Sequence, residues 1–311
     1  MGRVVVVMEH RDGSGMVCHP RSPETNKREP LLYIKAADTS CVPFIDALPI
    51  QLNLTSALRY GDDKKPEFRR EQLEQRRFEI YAAIDALKKL SVDGDCAGLS
   101  TIDDSELDWS DFQGKIGFDT LQLAGHSFGA STLFSILSHE PTEGFAPLPV
   151  THALFLDPWL QPFEKPGPVQ ASKNSQVRKV ILHSEGFTLW REHMAQMVEV
   201  AKDWGNVPIY TIGTIYSVNV LRFISSPSRH LARATHQTFS DYIVASPRFL
   251  AGKRVELLRK ISKLSVAFLD DHMEDVLARS TIRRVEVETL NSRWGKEERR
   301  LVANRGDIII H

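Results

Sequence analysis

Short apolar runs alternate along this chain with longer segments of helical periodicity. Residues 3–8, with Val4 to Val7 in succession, are β-branched and apolar and predict a buried strand of a parallel sheet. Leu31–Ile34 predicts an edge strand, and residues 118–124, 150–156, 177–184 and 207–212 predict further strands, the last of these ending the sheet. Between them, residues 66–90 set Phe68, Leu73, Phe78, Tyr81, Ile84 and Leu87 among Arg, Glu and Lys, the pattern of a long amphipathic helix covering a sheet. Residues 130–139 and 190–204 carry helical spacing as well. Polar, glycine- or proline-bearing stretches at 9–15, 20–30 and 162–168 predict loops, and 91–117 a loop or short-helix insertion. Strands alternating with helices predict an α/β protein with a mostly parallel central sheet flanked by helices. Residues 256–311, in which Arg and Glu precede Ile308-Ile309-Ile310, read as a C-terminal extension, partly helical or flexible, set apart from a domain over 1–255.

One turn in this pattern carries chemistry. Gly125-His126-Ser127-Phe128-Gly129 fits G-x-S-x-G, with a predicted strand before it and a predicted helix after it. A strand-turn-helix with serine at its apex is a nucleophile elbow, and glycines at 125 and 129 would let strand and helix pass closely. Without that context the pentapeptide is an ordinary glycine-rich turn.

Composition narrows the remaining classes. The chain has 311 residues, 42% hydrophobic and 25% charged, enough for a sizeable core. With 39 basic and 40 acidic residues there is no electrostatic case for nucleic acid as a partner. Cys18, Cys41 and Cys96 are widely spaced and odd in number, so they form neither a metal-ligand cluster nor a disulfide framework. No apolar run is long enough to span a bilayer, and no signal-peptide core is visible, which gives a cytoplasmic expectation. Asn53-Leu54-Thr55 matches a glycosylation sequon that has meaning only in a secreted chain. His10-Arg11-Asp12 lacks the residues that would continue a kinase catalytic loop.

A serine hydroxyl needs a base to take its proton and an acid to orient that base. In hydrolases built on such an elbow, Ser, acid and His follow in chain order, which removes His10, His19 and Asp12. Two carboxylates follow apolar strands, Asp157 and Glu185, and the pattern alone does not choose between them. Asp203 and Asp241 read as solvent-facing or capping residues. For the base, His230 and His236 lie close together after the last predicted strand.

The elbow's His126 and Phe128, the runs Leu156-Asp157-Pro158-Trp159 and His183-Ser184-Glu185-Gly186-Phe187, and the segment 235–241 beginning Thr235-His236-Gln237 together resemble the platelet-activating factor acetylhydrolases of the serine-dependent α/β-hydrolase type. Residues 4–12 and the helix from Phe68 extend the resemblance over roughly 3–255. It implies an α/β-hydrolase fold, with Ser127 as nucleophile, Asp157 as the acid, His236 as the base and Phe128 as one oxyanion-hole donor. It implies no cofactor and no metal. The implied reaction is calcium-independent hydrolysis of the short or oxidised sn-2 acyl ester of a glycerophospholipid met at a lipid interface. The family's first strands and oxyanion loop have no counterpart ahead of Arg3, so the resemblance implies a partial α/β-hydrolase domain. The alternatives are a general carboxylesterase or lipase on other short acyl esters, and a catalytically impaired remnant.

Overall fold

The computed structural model describes residues 2–8, 10, 66–94, 99, 107–161, 176–212, 236–239, 248–291, 297–304 and 307–311. They fall into two compact units: Met1–Thr120 with Glu140–Pro149, and Leu121–His139 with Val150–His311. The expectations for 11–35, 53–55, 162–168, the three cysteines, His19, His230 and Asp241 lie outside the described residues.

In the first unit, helix α1 (Pro66–Asp93) begins on a proline, whose missing N–H costs nothing in the first helical turn. It ends at Gly94, which takes φ +70° and donates to Leu90 O at 3.1 Å. Its buried side includes Leu73, Ile80 and Tyr81, whereas Phe78 is 42% exposed and meets Phe145 edge-on. Ser91 near its end ties in the downstream loop, donating to Ile116 O at 3.0 Å and accepting from Ile116 N. His10 Nδ1 lies 2.8 Å from Glu79 Oε2 of the helix. The strand expected at 3–8 is not formed: residues 2–8 pair with no described strand, and Val4 and Val7 are 60% and 89% exposed. β-branched residues favour extended backbone, but a strand exists only with a paired edge, and no described element pairs with this one.

The second unit holds the sheet. Strands β1 (Leu121–His126), β2 (Val150–Leu156), β3 (Arg178–His183) and β4 (Ile209–Ile212) are parallel neighbours in that order. Helix α2 (Phe128–Ser138) lies between β1 and β2, and the short α3 (Glu185–Leu189) and α4 (Arg191–Asp203) lie between β3 and β4. Trp190 and Trp204 flank α4 as its caps, close to the bounds the sequence predicts. Successive residues of β2 serve opposite faces. Leu154 joins Val180, Leu182 and Ile212 against Leu257, Leu264 and Phe268 of α5 (Arg248–Leu269) and Met273 and Leu277 of α6 (Met273–Ala278). Phe155 instead stacks on Phe134 of α2 at 4.2 Å, with Trp204 4.8 Å from Phe134.

The pattern along the chain sets residues 256–311 apart as an extension and makes 207–212 the last sheet strand. The structure continues the sheet instead. Strand β8 (Ile308–Ile310) runs antiparallel beside β4, and β5 (Ile282–Arg284) pairs parallel with β8. Ile308 and Ile309 are fully buried. Between them, β6 (Val287–Asn291) and β7 (Glu297–Leu301) form an antiparallel pair of their own. Three apolar residues amid charge are too few for a periodic signal, and an antiparallel partner comes from no βα repeat.

Candidate active site

Parallel register brings the ends of β1, β2 and β3 level. His126 pairs with Leu156, and Leu156 with Leu182. The ladder continues one residue past the strands, with Ser127 N donating to Leu156 O at 2.9 Å and Asp157 N to Leu182 O at 2.8 Å. Ser127 and Asp157 therefore stand side by side at the carboxyl edge, where open α/β sheets place their sites.

Ser127 occupies φ 57°, ψ −119°, outside the regions that L-residues favour. Such a conformation costs about 1–3 kcal/mol and persists only where the surroundings enforce it. Gly125 is one enforcer: a Cβ there would sit 2.5 Å from the Gly129 carbonyl carbon and oxygen. The expectation for the second glycine is corrected. A Cβ on Gly129 meets nothing within 4 Å, so its backbone is the obstacle and its missing side chain is not required. Ser131 Oγ, one turn into α2, donates to Trp159 O and so ties the elbow helix to the loop after Asp157.

Of the two histidine candidates, His236 lies at the elbow, and His230 lies outside the described residues. His236 Nε2 accepts from Ser127 Oγ at 2.7 Å, and its Nδ1 donates to Asp157 Oδ2 at 2.9 Å. Asp157 is fully buried, and its other oxygen accepts from Ser184 N at 2.8 Å. Burial raises the Asp157 pKa, but the His236 hydrogen bond, the His236 and His183 imidazoles and the Ser184 N–H outweigh it and hold the carboxyl below its usual range. Glu185, the other acid candidate, is also buried, yet its Oε1 faces away to accept from Leu301 N of β7 at 3.2 Å. Phe128 opens α2, so its N–H belongs to a helix N-terminus beside Ser127.

His126, His183 and Phe187 stand in the motifs that carry the resemblance without an assigned role, and His193 lies outside those motifs. Phe187 stacks flat on the His236 ring at 4.6 Å and 8°. His126 lies on another side, 4.5 Å from that ring, and its Nε2 donates to the His236 carbonyl at 3.0 Å. Burial, then the His236 charge, pushes His126 down to about 4. His193 donates to Pro158 O at 2.9 Å and is held at about 4, chiefly by burial. His183 is fully buried, neither ring nitrogen has a hydrogen-bond partner among the described residues, and burial drives it to about 3. His126 and His183 are the last residues of β1 and β3, whereas Phe187 and His193 lie on α3 and α4, so their gathering follows from register and is invisible in local pattern.

Among the described residues no group of His, Cys, Asp and Glu could hold a metal ion, and no described helix is long and apolar enough to cross a membrane. The model of the family described as platelet-activating factor acetylhydrolase, isoform II, matches residues 1–278. The chain belongs to that family. Its fold is the α/β-hydrolase fold, and the parallel β1–β4 core with helices on both faces is this family's architecture in the described residues. The chain is also similar to the platelet-activating factor acetylhydrolase of Gallus gallus, with 23% identity over 225 residues. That match takes in 70% of this chain and 45% of the relative, so the chain spans about half the relative's length.

Proposed function

We propose that this chain is a serine esterase that hydrolyses the short or oxidised sn-2 acyl ester of a glycerophospholipid, such as platelet-activating factor, without calcium. One observation carries the chemistry: a single imidazole bridges Ser127 Oγ at 2.7 Å and a buried Asp157 at 2.9 Å. The substrate class rests on the family.

In this reading His236 Nε2 takes the Ser127 proton as Oγ attacks the ester carbonyl carbon. The Asp157 carboxylate stabilises the imidazolium and fixes its tautomer. The Phe128 N–H, at the positive end of α2, is one donor to the tetrahedral oxyanion. Collapse breaks the bond to the sn-2 oxygen, which takes the proton from His236 and leaves as the lysophospholipid. Water then attacks the acyl-enzyme, passing its proton through His236 and freeing Ser127 and the short acid. The protons pass through His236 and the oxyanion meets the Phe128 backbone N–H, so no step of this reading calls on calcium.

The test uses the full chain and its Ser127→Ala variant, with fluorophosphonate labelling beside turnover of an acetyl glycerophospholipid in chelator. Labelling and turnover in wild type, both absent from the alanine variant, are expected. Equal labelling of the two chains removes Ser127 as nucleophile. Labelling with turnover of aryl esters but no phospholipid replaces the substrate class with simple esters.

A further inference from the structure

The residue before the nucleophile touches the base by a route that catalysis does not use. His126 ends β1, the strand that delivers Ser127. Its Nε2–H donates to the backbone carbonyl of His236 at 3.0 Å, leaving both reactive nitrogens of His236 to Ser127 and Asp157. The same ring lies 4.5 Å from the His236 ring and stacks against Phe239 at 5.8 Å and 17°. His236 and Phe239 are the two ends of one 3-10 turn, and Phe239 is buried in the core with Leu257 and Ile261. His126 therefore grips both ends of the turn that presents the base, and it does so from the central sheet.

We infer that His126 is a positioning residue that sets the His236 imidazole relative to Ser127 through the hydrogen bond to the His236 carbonyl. The inference rests on the triad reading above. Because His126 and Ser127 are adjacent in the chain, the clamp and the nucleophile share one rigid mount. A shift of the elbow carries the base with it, and the 2.7 Å contact between Ser127 Oγ and Nε2 is kept. Misplacement of a reacting group by about 1 Å costs on the order of a hundredfold in rate, so a single anchoring hydrogen bond has leverage. A neutral ring is also what the geometry needs. A second positive charge 4.5 Å from His236 would oppose the imidazolium that forms during attack.

The alternative is that the ring only fills space, and two substitutions separate the cases. His126→Gln keeps an Nε2 donor at similar reach without the ring, and His126→Leu keeps apolar bulk without the donor. On the full chain, the rate of fluorophosphonate labelling at Ser127 and the kcat and KM for an acetyl glycerophospholipid are measured beside the thermal midpoint. The leucine variant should lose about 10- to 100-fold in labelling rate and in kcat, with KM changed less than about twofold. The glutamine variant should recover to within about threefold of wild type. His126→Met, an unbranched gap-filler, repeats the comparison if the leucine chain does not fold. Wild-type labelling in the leucine or methionine variant overturns the inference, as does a glutamine variant as impaired as leucine. Intact labelling without phospholipid turnover in wild type overturns the substrate reading alone and leaves this comparison readable by labelling.

Discussion

Ser127 and Gly125 show how one side chain's reactivity depends on another's absence. The unfavourable φ and ψ of Ser127 place Oγ at the apex, and the absence of a Cβ at Gly125, close to the Gly129 carbonyl, makes that turn sterically feasible. Gly125→Ala should therefore destabilise the chain by about 1–3 kcal/mol, as overpacking does, and lower the labelling rate of Ser127. Gly129→Ala should cost little, because its Cβ would enter open space at an ordinary φ. Urea unfolding with labelling of both variants checks this; equal losses would mean the obstacle lies elsewhere. The sequence pattern marks both glycines alike, since G-x-S-x-G contains no information on which Cβ would clash. The same limit applied to the acid. Asp157 and Glu185 each follow a β-strand, and what divides them is that β2, not β3, is the direct neighbour of β1.

At the level of elements, the βα repeats were legible because each buries a whole apolar run. Residues 150–156 form a strand at the predicted bounds, and the two tryptophans close α4. The segments misjudged were those whose state depends on a distant partner. Val4 to Val7 have the stronger local strand preference and form none, whereas Ile308–Ile310 are fewer and complete the sheet. Hydrophobicity was visible in both, and the availability of an open edge was not. Ile308→Ala should cost about 2–5 kcal/mol, because the side chain is fully buried among Leu257, Leu264 and Met273. Ile310, 37% exposed, should tolerate alanine at a loss below about 1 kcal/mol. Denaturant midpoints of the two variants decide it; equal sensitivity would contradict this placement of β8.

Across the molecule, buried neutral histidines tie stability to pH. His183 and His193 are 0% and 2% exposed and are held at about 3 and about 4. An unfolded chain protonates them near pH 6.5, so between there and about pH 4 the unfolded state binds more protons. Their contribution is whole above about pH 6.5 and drains away below it, by up to ~1.4 kcal/mol per pH unit for each histidine. Asp157, whose pKa is lowered, acts in a different window, since its share persists down to the carboxylate range. Urea midpoints should fall steeply from pH 7 to pH 5, and His183→Leu, which breaks no hydrogen bond among the described residues, should flatten that fall. A flat wild-type profile would contradict the assignment. The position of β8 bears also on how the protein is made. On the ribosome, Ser127, Asp157 and His236 all emerge well before Ile308, while β4 waits with one edge unpaired. A nascent chain paused in that interval holds Ser127, Asp157 and His236 but an unfinished sheet, and closing β4 with β8 across that span of sequence is a slow, non-local step. The interval is the time in which this polypeptide most needs protection from pairing with another.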